Sequence, residues 1–218
     1  MIYVFGGIKG GVGKTTICLN FLTYLASINK RDVLLVDADD QETATDYTAW
    51  RDNTLGGNTG YTAIRLAGDA IRTQIPNLKK KYDDIVIDTG GRDTKSQRSA
   101  LAVADIFLVP FYPRSFDFWT ITKVKHLVDD IRSINPDLRV FSFLNRADLR
   151  SADNRDTADA LKECDDIIYI DRPILNRKCF SNASGRGLSV FETTPRDEKA
   201  ITELTALFEN LTKEYANV

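Results

Sequence analysis

Short apolar runs alternate along the chain with longer segments whose apolar positions recur at helical spacing. Residues 2–5 (IYVF), 33–36 (VLLV), 85–87 (IVI), 106–109 (IFLV) and 140–144 (VFSFL) read as buried strands. Residues 61–66 read as a short edge strand, and 167–170 as one more strand. The segment 15–29 carries Ile17, Leu19, Phe21, Leu22, Leu25 and Ile28 at mostly helical spacing. The same pattern predicts helices at 41–50, 69–81, 94–103, 116–133, 154–163 and about 196–215. Strands bounded by helices imply βαβ units. The expected fold class is therefore α/β, a mostly parallel twisted sheet with helices on both faces. Right-handed crossovers then put the functional loops at the carboxyl ends of the strands. The stretch 52–60 (DNTLGGNTG) reads as the most flexible loop. With no internal repeat or long linker, 1–218 is expected to form one domain.

Composition narrows the function classes. The formal net charge is -2, so any nucleic-acid contact needs a local basic patch. Cys18, Cys164 and Cys179 are too widely spaced for a zinc site and odd in number, which points to a reducing compartment. Cys18 falls in an apolar helical run and is expected in the core. The start, MIYVFGG, has no charged leader preceding a long apolar run, and no stretch approaches a membrane span. A cytoplasmic protein that makes no membrane contact is the expectation.

The chemistry concentrates between the first strand and the first helix. Lys9, Gly10, Gly11, Val12, Gly13, Lys14, Thr15 and Thr16 form KGGVGKTT. Glycines let the backbone curl so that successive N–H groups point into one concavity. The following helix N-terminus adds partial positive charge there. Lys14 can reach the β- and γ-phosphates of ATP, and the Thr15 hydroxyl can ligate Mg²⁺. This makes the fold a P-loop NTPase. The strict G-x4-G-K-[ST] pattern is not met, because Ile8 stands where its first glycine would be. The strand 84–88 ends in Asp88 and reads as a Walker B carboxylate holding Mg²⁺. Gly90 and Gly91 after it allow a switch segment to approach the γ-phosphate.

KGGVGKTT resembles the deviant Walker A motif of the ParA/MinD family of ATPases. The resemblance implies that Lys9 is a signature lysine, reaching phosphates bound by the other subunit of an ATP-dependent homodimer. It also assigns DADDQ after the second strand to the family's D-x-D-P-Q segment, with Asp40 in the proline's place. Asp39 would then orient or activate the attacking water, and Asp37 would support the Mg²⁺ shell and the loop. Asp40 is the expected N-cap of the following helix. Asn145, after the strand 140–144, matches an asparagine that meets the adenine edge. Pro173 matches a segment closing over the base.

Arg172, Arg177, Lys178 and Arg186 occur between 172 and 187 with no acid among them, a candidate strip for DNA phosphates. The aromatics of 110–118 (PFYPRSFDF) are expected to divide between core and a dimer face, and His126, the only histidine, to play a bland role. No helix-turn-helix precedes the loop, as in the small ParA subgroup. The function implied is a ParA-like ATPase that dimerises on ATP, binds DNA non-specifically, becomes nucleoid-associated, and segregates a cargo with a ParB-like or adaptor partner. The alternatives are a MinD-like membrane-positioning ATPase and a metabolic enzyme such as a dethiobiotin-synthetase-like ligase. Residues 197–218 hold two lysines and five acids, which anionic lipid would repel.

Overall fold

The computed structural model describes residues 1–113, 117–149 and 151–213. Its strands are β1 (Ile2–Phe5), β2 (Val33–Asp37), β3 (Thr62–Arg65), β4 (Asp84–Asp88), β5 (Ile106–Phe111), β6 (Arg139–Ala147), β7 (Ile168–Tyr169) and β8 (Ile174–Leu175). The helices are α1 (Lys14–Thr23), α2 (Thr43–Leu55), α3 (Asp69–Leu78), α4 (Lys95–Leu101), α5 (Asp117–Arg132), α6 (Ala152–Lys162), α7 (Lys178–Ser184) and α8 (Glu198–Lys213). The strands form one sheet in the order β3-β2-β4-β1-β5-β6-β7, with β8 also paired to β6. All these pairings are parallel. As expected, 62–65 forms an edge strand.

Alternation along each strand feeds two cores. Tyr3, Phe5, Val33, Leu35 and Val86 face α1, α2 and α8. Ile2, Val4, Leu34, Val36, Ile85 and Ile87 face α3, α4, α5 and α6. This is why the strands read as unbroken apolar runs: both faces are covered. Cys18 is fully buried, as expected, and His126 is exposed.

Several boundaries differ from the sequence expectation. The helix expected at 15–29 ends its α-helical part at Thr23 and continues as a π-helical turn over Tyr24–Ile28. The helix α2 runs on through Leu55 and stops at Gly56 in a left-handed conformation, so 52–55 is helix and not loop. Asp40 does not cap α2. The helix begins after Glu42, and its amide at Thr45 is received by Asp37 Oδ2 at 2.8 Å. A buried carboxylate at a strand end is better fixed than an exposed one in the loop. The short elements β8 and α7 fall where no strand or helix was expected. The expected extension of the last helix to 214–215 lies outside the described residues, as do residues 114–116 of the aromatic segment and the side chain of Phe118. Phe111 is core, and Tyr112 is half-buried.

Parallel register sets the site. Phe5 pairs with Asp88, and Asp88 with Asp37, so β1, β4 and β2 end side by side. The loop after β1 leaves from one end of this row, beside the end of β4.

Candidate nucleotide-binding site

Residues 9–16 curl between β1 and α1. Gly13 precedes α1 with φ 88°, and a β-carbon there would lie 2.4 Å from Asn145 Nδ2. Glycine is therefore favoured by the backbone conformation, and a β-carbon there would also displace the Asn145 amide. Gly10 and Gly11 face open space, and Val12 is buried. Lys14 is 6% exposed, and its Nζ donates to Lys9 O at 3.0 Å. Burial lowers its pKa, against the pull of Asp88 and Asp39 toward the charged form. Lys9 is half-buried and turns its carbonyl toward this ammonium. The loop opens on a cavity of about 720 Å³ whose lining includes Gly10, Lys14, Thr15, Asp39, Gly91 and Arg146.

Three carboxylates stand at the strand ends near the loop, and of them Asp39 lines the cavity. Asp37 is buried and fully used within the protein. Its Oδ1 accepts from Asp39 N at 3.1 Å, and its Oδ2 accepts from Thr45 N at 2.8 Å and Thr45 Oγ1 at 2.7 Å. Asp37 thus ties the β2 end to α2 and holds the Asp39 loop. Asp39 is half-buried and lines the cavity, with Oδ1 accepting from Gln41 N at 3.1 Å. Asp88 is 0% exposed, and among the described residues neither of its oxygens has a hydrogen-bond partner of ordinary geometry. Its carboxyl is pushed up to about 8, mostly by burial and further by Asp37 and Asp39, with Thr15 and Lys14 acting in the opposite sense. A buried carboxylate left without a hydrogen bond of ordinary geometry suits a ligand that brings positive charge.

A second cavity of about 660 Å³ adjoins the first and shares Gly13, Thr16 and Arg146 with it. Asn145 lines it and donates from Nδ2 to Val12 O at 2.7 Å, so its amide also braces the loop. Leu175 and Phe180 supply apolar wall. Pro173 is exposed and stands outside this lining.

The basic residues do not act alike. Arg177 pairs through its guanidinium with both oxygens of Glu203 on α8, an acid the local sequence does not reveal. Arg177 and Lys178 line the second cavity, and Arg186 lines a different one with Cys179 and Pro195. Arg172 is exposed, donating to Asp171 O at 3.1 Å.

Two site residues escape sequence reasoning. Gln97 is buried on α4, and its Oε1 accepts from Gly7 N and from Thr89 Oγ1, each at 3.0 Å. It pins the exits of β1 and β4 together. In sequence it is one more polar helix residue. The other is Arg146, whose φ of 56° no pattern announces.

A glycine cradle at a helix N-terminus, a buried lysine and a carboxylate from the neighbouring strand define a P-loop nucleotide-binding protein. The chain belongs to the CobQ/CobB/MinD/ParA nucleotide binding domain family, whose profile matches residues 3–190. It is 26% identical over 204 residues to maintenance of carboxysome distribution protein A of Halothiobacillus neapolitanus, covering 92% of this chain and 91% of that one. It is 28% identical over 162 residues to chromosome-partitioning ATPase Soj of Thermus thermophilus, covering 62% and 65%. In fold it matches a putative plasmid partition protein of Borrelia burgdorferi bound to AMPPNP, with TM-score 0.79, 20% identity and 98% of each chain covered.

Proposed function

We propose that this chain is an ATPase of the partition and positioning kind, which binds ATP with Mg²⁺, dimerises on it and releases itself by hydrolysis. The observation that carries this reading is the buried pair Lys14 and Asp88 beside an open glycine cradle. Loop amides and Lys14 would hold the terminal phosphates. Thr15 and Asp88 fit a divalent cation bound with the nucleotide, since among the described residues no group hydrogen-bonds the Asp88 oxygens with ordinary geometry. That cation would neutralise charge developing on the phosphates. Asp39, fixed by the Gln41 amide, would orient a water and take its proton. Lys9 would enter the site of the partner subunit. The second cavity would take adenine between Asn145, Leu175 and Phe180.

The likeness to carboxysome-distribution, chromosome-partitioning and plasmid-partition proteins supports a cargo-positioning role, with plasmid or chromosome DNA or a protein microcompartment as cargo. We further infer action in the cytoplasm, nucleoid association of the ATP-bound dimer, and a ParB-like or adaptor partner that stimulates hydrolysis. Exposed Arg172, Lys178 and Arg186 are the proposed DNA contacts, with Arg177 engaged by Glu203. The membrane-positioning alternative is disfavoured by α8, whose Leu204, Leu207, Phe208 and Leu211 are all 0% exposed in the core. Among the described residues no helix is long and apolar enough to cross a membrane.

A DNA gel shift with ADP, ATP and a slowly hydrolysed analogue tests the reading. Retardation only with ATP or the analogue, lost in Lys9→Ala while ATP binding persists, is expected. Equal binding in all three states contradicts it.

A further inference from the structure

Arg146 sits in left-handed backbone, φ 56°, where β6 passes its irregular register with β8 between Asn145 and Ala147. That conformation is unfavourable for any residue with a β-carbon, and it persists where surrounding structure requires it. In a regular strand, neighbours point to opposite faces. Here the irregularity aims both at the P-loop. Asn145 Nδ2 donates to Val12 O at 2.7 Å, and Arg146 Nη1 donates to Gly11 O at 3.0 Å. The guanidinium carbon lies 5.4 Å from the centre of the Tyr112 ring, at the end of β5. A planar guanidinium stacked on an aromatic face is held in orientation while its edge donors stay usable.

The position matters as much as the strain. Of the two cavities, one is lined by the phosphate loop and the other by Asn145, Leu175 and Phe180. Among the described residues, only Gly13, Thr16 and Arg146 line both. A nucleotide with phosphates in the first and base in the second must cross that shared rim with its ribose and α-phosphate. A guanidinium has five N–H donors, and Gly11 O takes one.

We propose that Arg146 is a nucleotide-contacting residue acting within its own subunit, donating to the ribose 5′-phosphate portion of a nucleoside di- or triphosphate. It is distinct from Lys14 at the terminal phosphates and from the lysine delivered by a second subunit. Tyr112 holds it in place. The inference rests on the nucleotide-binding reading above.

The test uses Arg146→Gly and Arg146→Lys in the full chain, with ADP and ATP dissociation constants and nucleotide-free melting temperatures. Glycine removes the side chain and relieves the left-handed backbone. Arg146→Gly is expected to weaken ADP and ATP by the same factor, about tenfold, which is about 1.4 kcal/mol. Its melting temperature without nucleotide stays level or rises, and Arg146→Lys recovers part of the affinity. Wild-type affinity in Arg146→Gly overturns the proposal. So does a weakened affinity that comes with a lowered nucleotide-free melting temperature and no recovery by lysine, since the side chain would then serve the fold alone. A wild-type protein that binds neither nucleotide overturns the underlying reading as well, and the two failures are distinguished by that control.

Discussion

Gly91 lies directly on Gly10. A β-carbon built on Gly91 would stand 2.8 Å from Gly10 Cα and 3.1 Å from Lys14 Nζ. The segment after β4 therefore touches the P-loop where terminal phosphates are expected, and nothing larger than glycine fits between them. Gly91→Ala must push the two segments apart, at about 1–3 kcal/mol by the usual cost of overpacking. ATP turnover is expected to fall at least about tenfold, a factor that corresponds to about 1.4 kcal/mol. Steady-state phosphate release measures this, and unchanged turnover would show that the contact is not maintained in the working state.

Asp39 offers a separation of binding from hydrolysis. Its neighbour Asp37 keeps the loop in place through Thr45, so Asp39→Ala should leave the backbone and ATP affinity intact. Hydrolysis should drop by about 10²–10⁴, the usual contribution of a positioned general base. Single-turnover kinetics with prebound ATP reads this directly. A variant that hydrolyses at the wild-type rate would move the water-orienting role elsewhere.

Asp88 should stabilise the protein when it is lost. Its carboxyl titrates near 8, above the ordinary carboxylate range, chiefly because burial disfavours the charge. Between that ordinary range and 8 the native state holds a proton that the unfolded chain has released. Nucleotide-free stability must then fall as pH rises across the window. Asp88→Asn should raise the melting temperature at pH 8, flatten that slope, and abolish Mg²⁺-dependent turnover. Thermal scans at pH 5 and 8 decide it. A variant that melts lower at both pH values would mean that the carboxylate is satisfied in the folded state.

The strands that carry the site were legible because each is buried on both faces and so reads as an apolar run. Glycine spacing placed the P-loop, and strand ends placed Asp37, Asp39 and Asp88. Long-range pairing was not legible. Nothing local distinguishes Gln97 from a surface glutamine, or shows that Glu203 answers Arg177. Asp37 displaced Asp40 as the cap because tertiary register, not adjacency, brought the better-fixed acceptor to Thr45. The short α7 carries too few turns for periodicity to register. The unexpected strand, β8, is two residues long, too short for an alternation to register.

Arg51 and Glu192 form the ion pair that closes α2 against the chain's last third. The guanidinium donates to both carboxylate oxygens at 2.7 and 2.6 Å and to Thr59 O at 2.7 Å. Burial alone would raise the Glu192 pKa, but the Arg51 and Ser189 hydrogen bonds outweigh it and leave it lowered. The pair therefore contributes stability above the ordinary carboxylate range, and that stability is lost as pH falls through the depressed native value. Glu192→Gln should cost about 3 kcal/mol at pH 7, the scale for stripping one partner from a buried pair. It should also shrink the acid-induced loss seen in urea titrations at pH 7 and 4. An unchanged acid dependence would assign that loss to other groups.

The central claim is that main-chain amides of the 9–16 loop, with Lys14, enclose a nucleotide's terminal phosphates. A crystal structure grown with a non-hydrolysable ATP analogue and Mg²⁺ tests it most directly. The β- and γ-phosphates are expected in the cavity between Gly10 and Thr15, with Lys14 Nζ turned from Lys9 O onto phosphate oxygen. Phosphates bound anywhere else, with Lys14 still on Lys9 O, would contradict it.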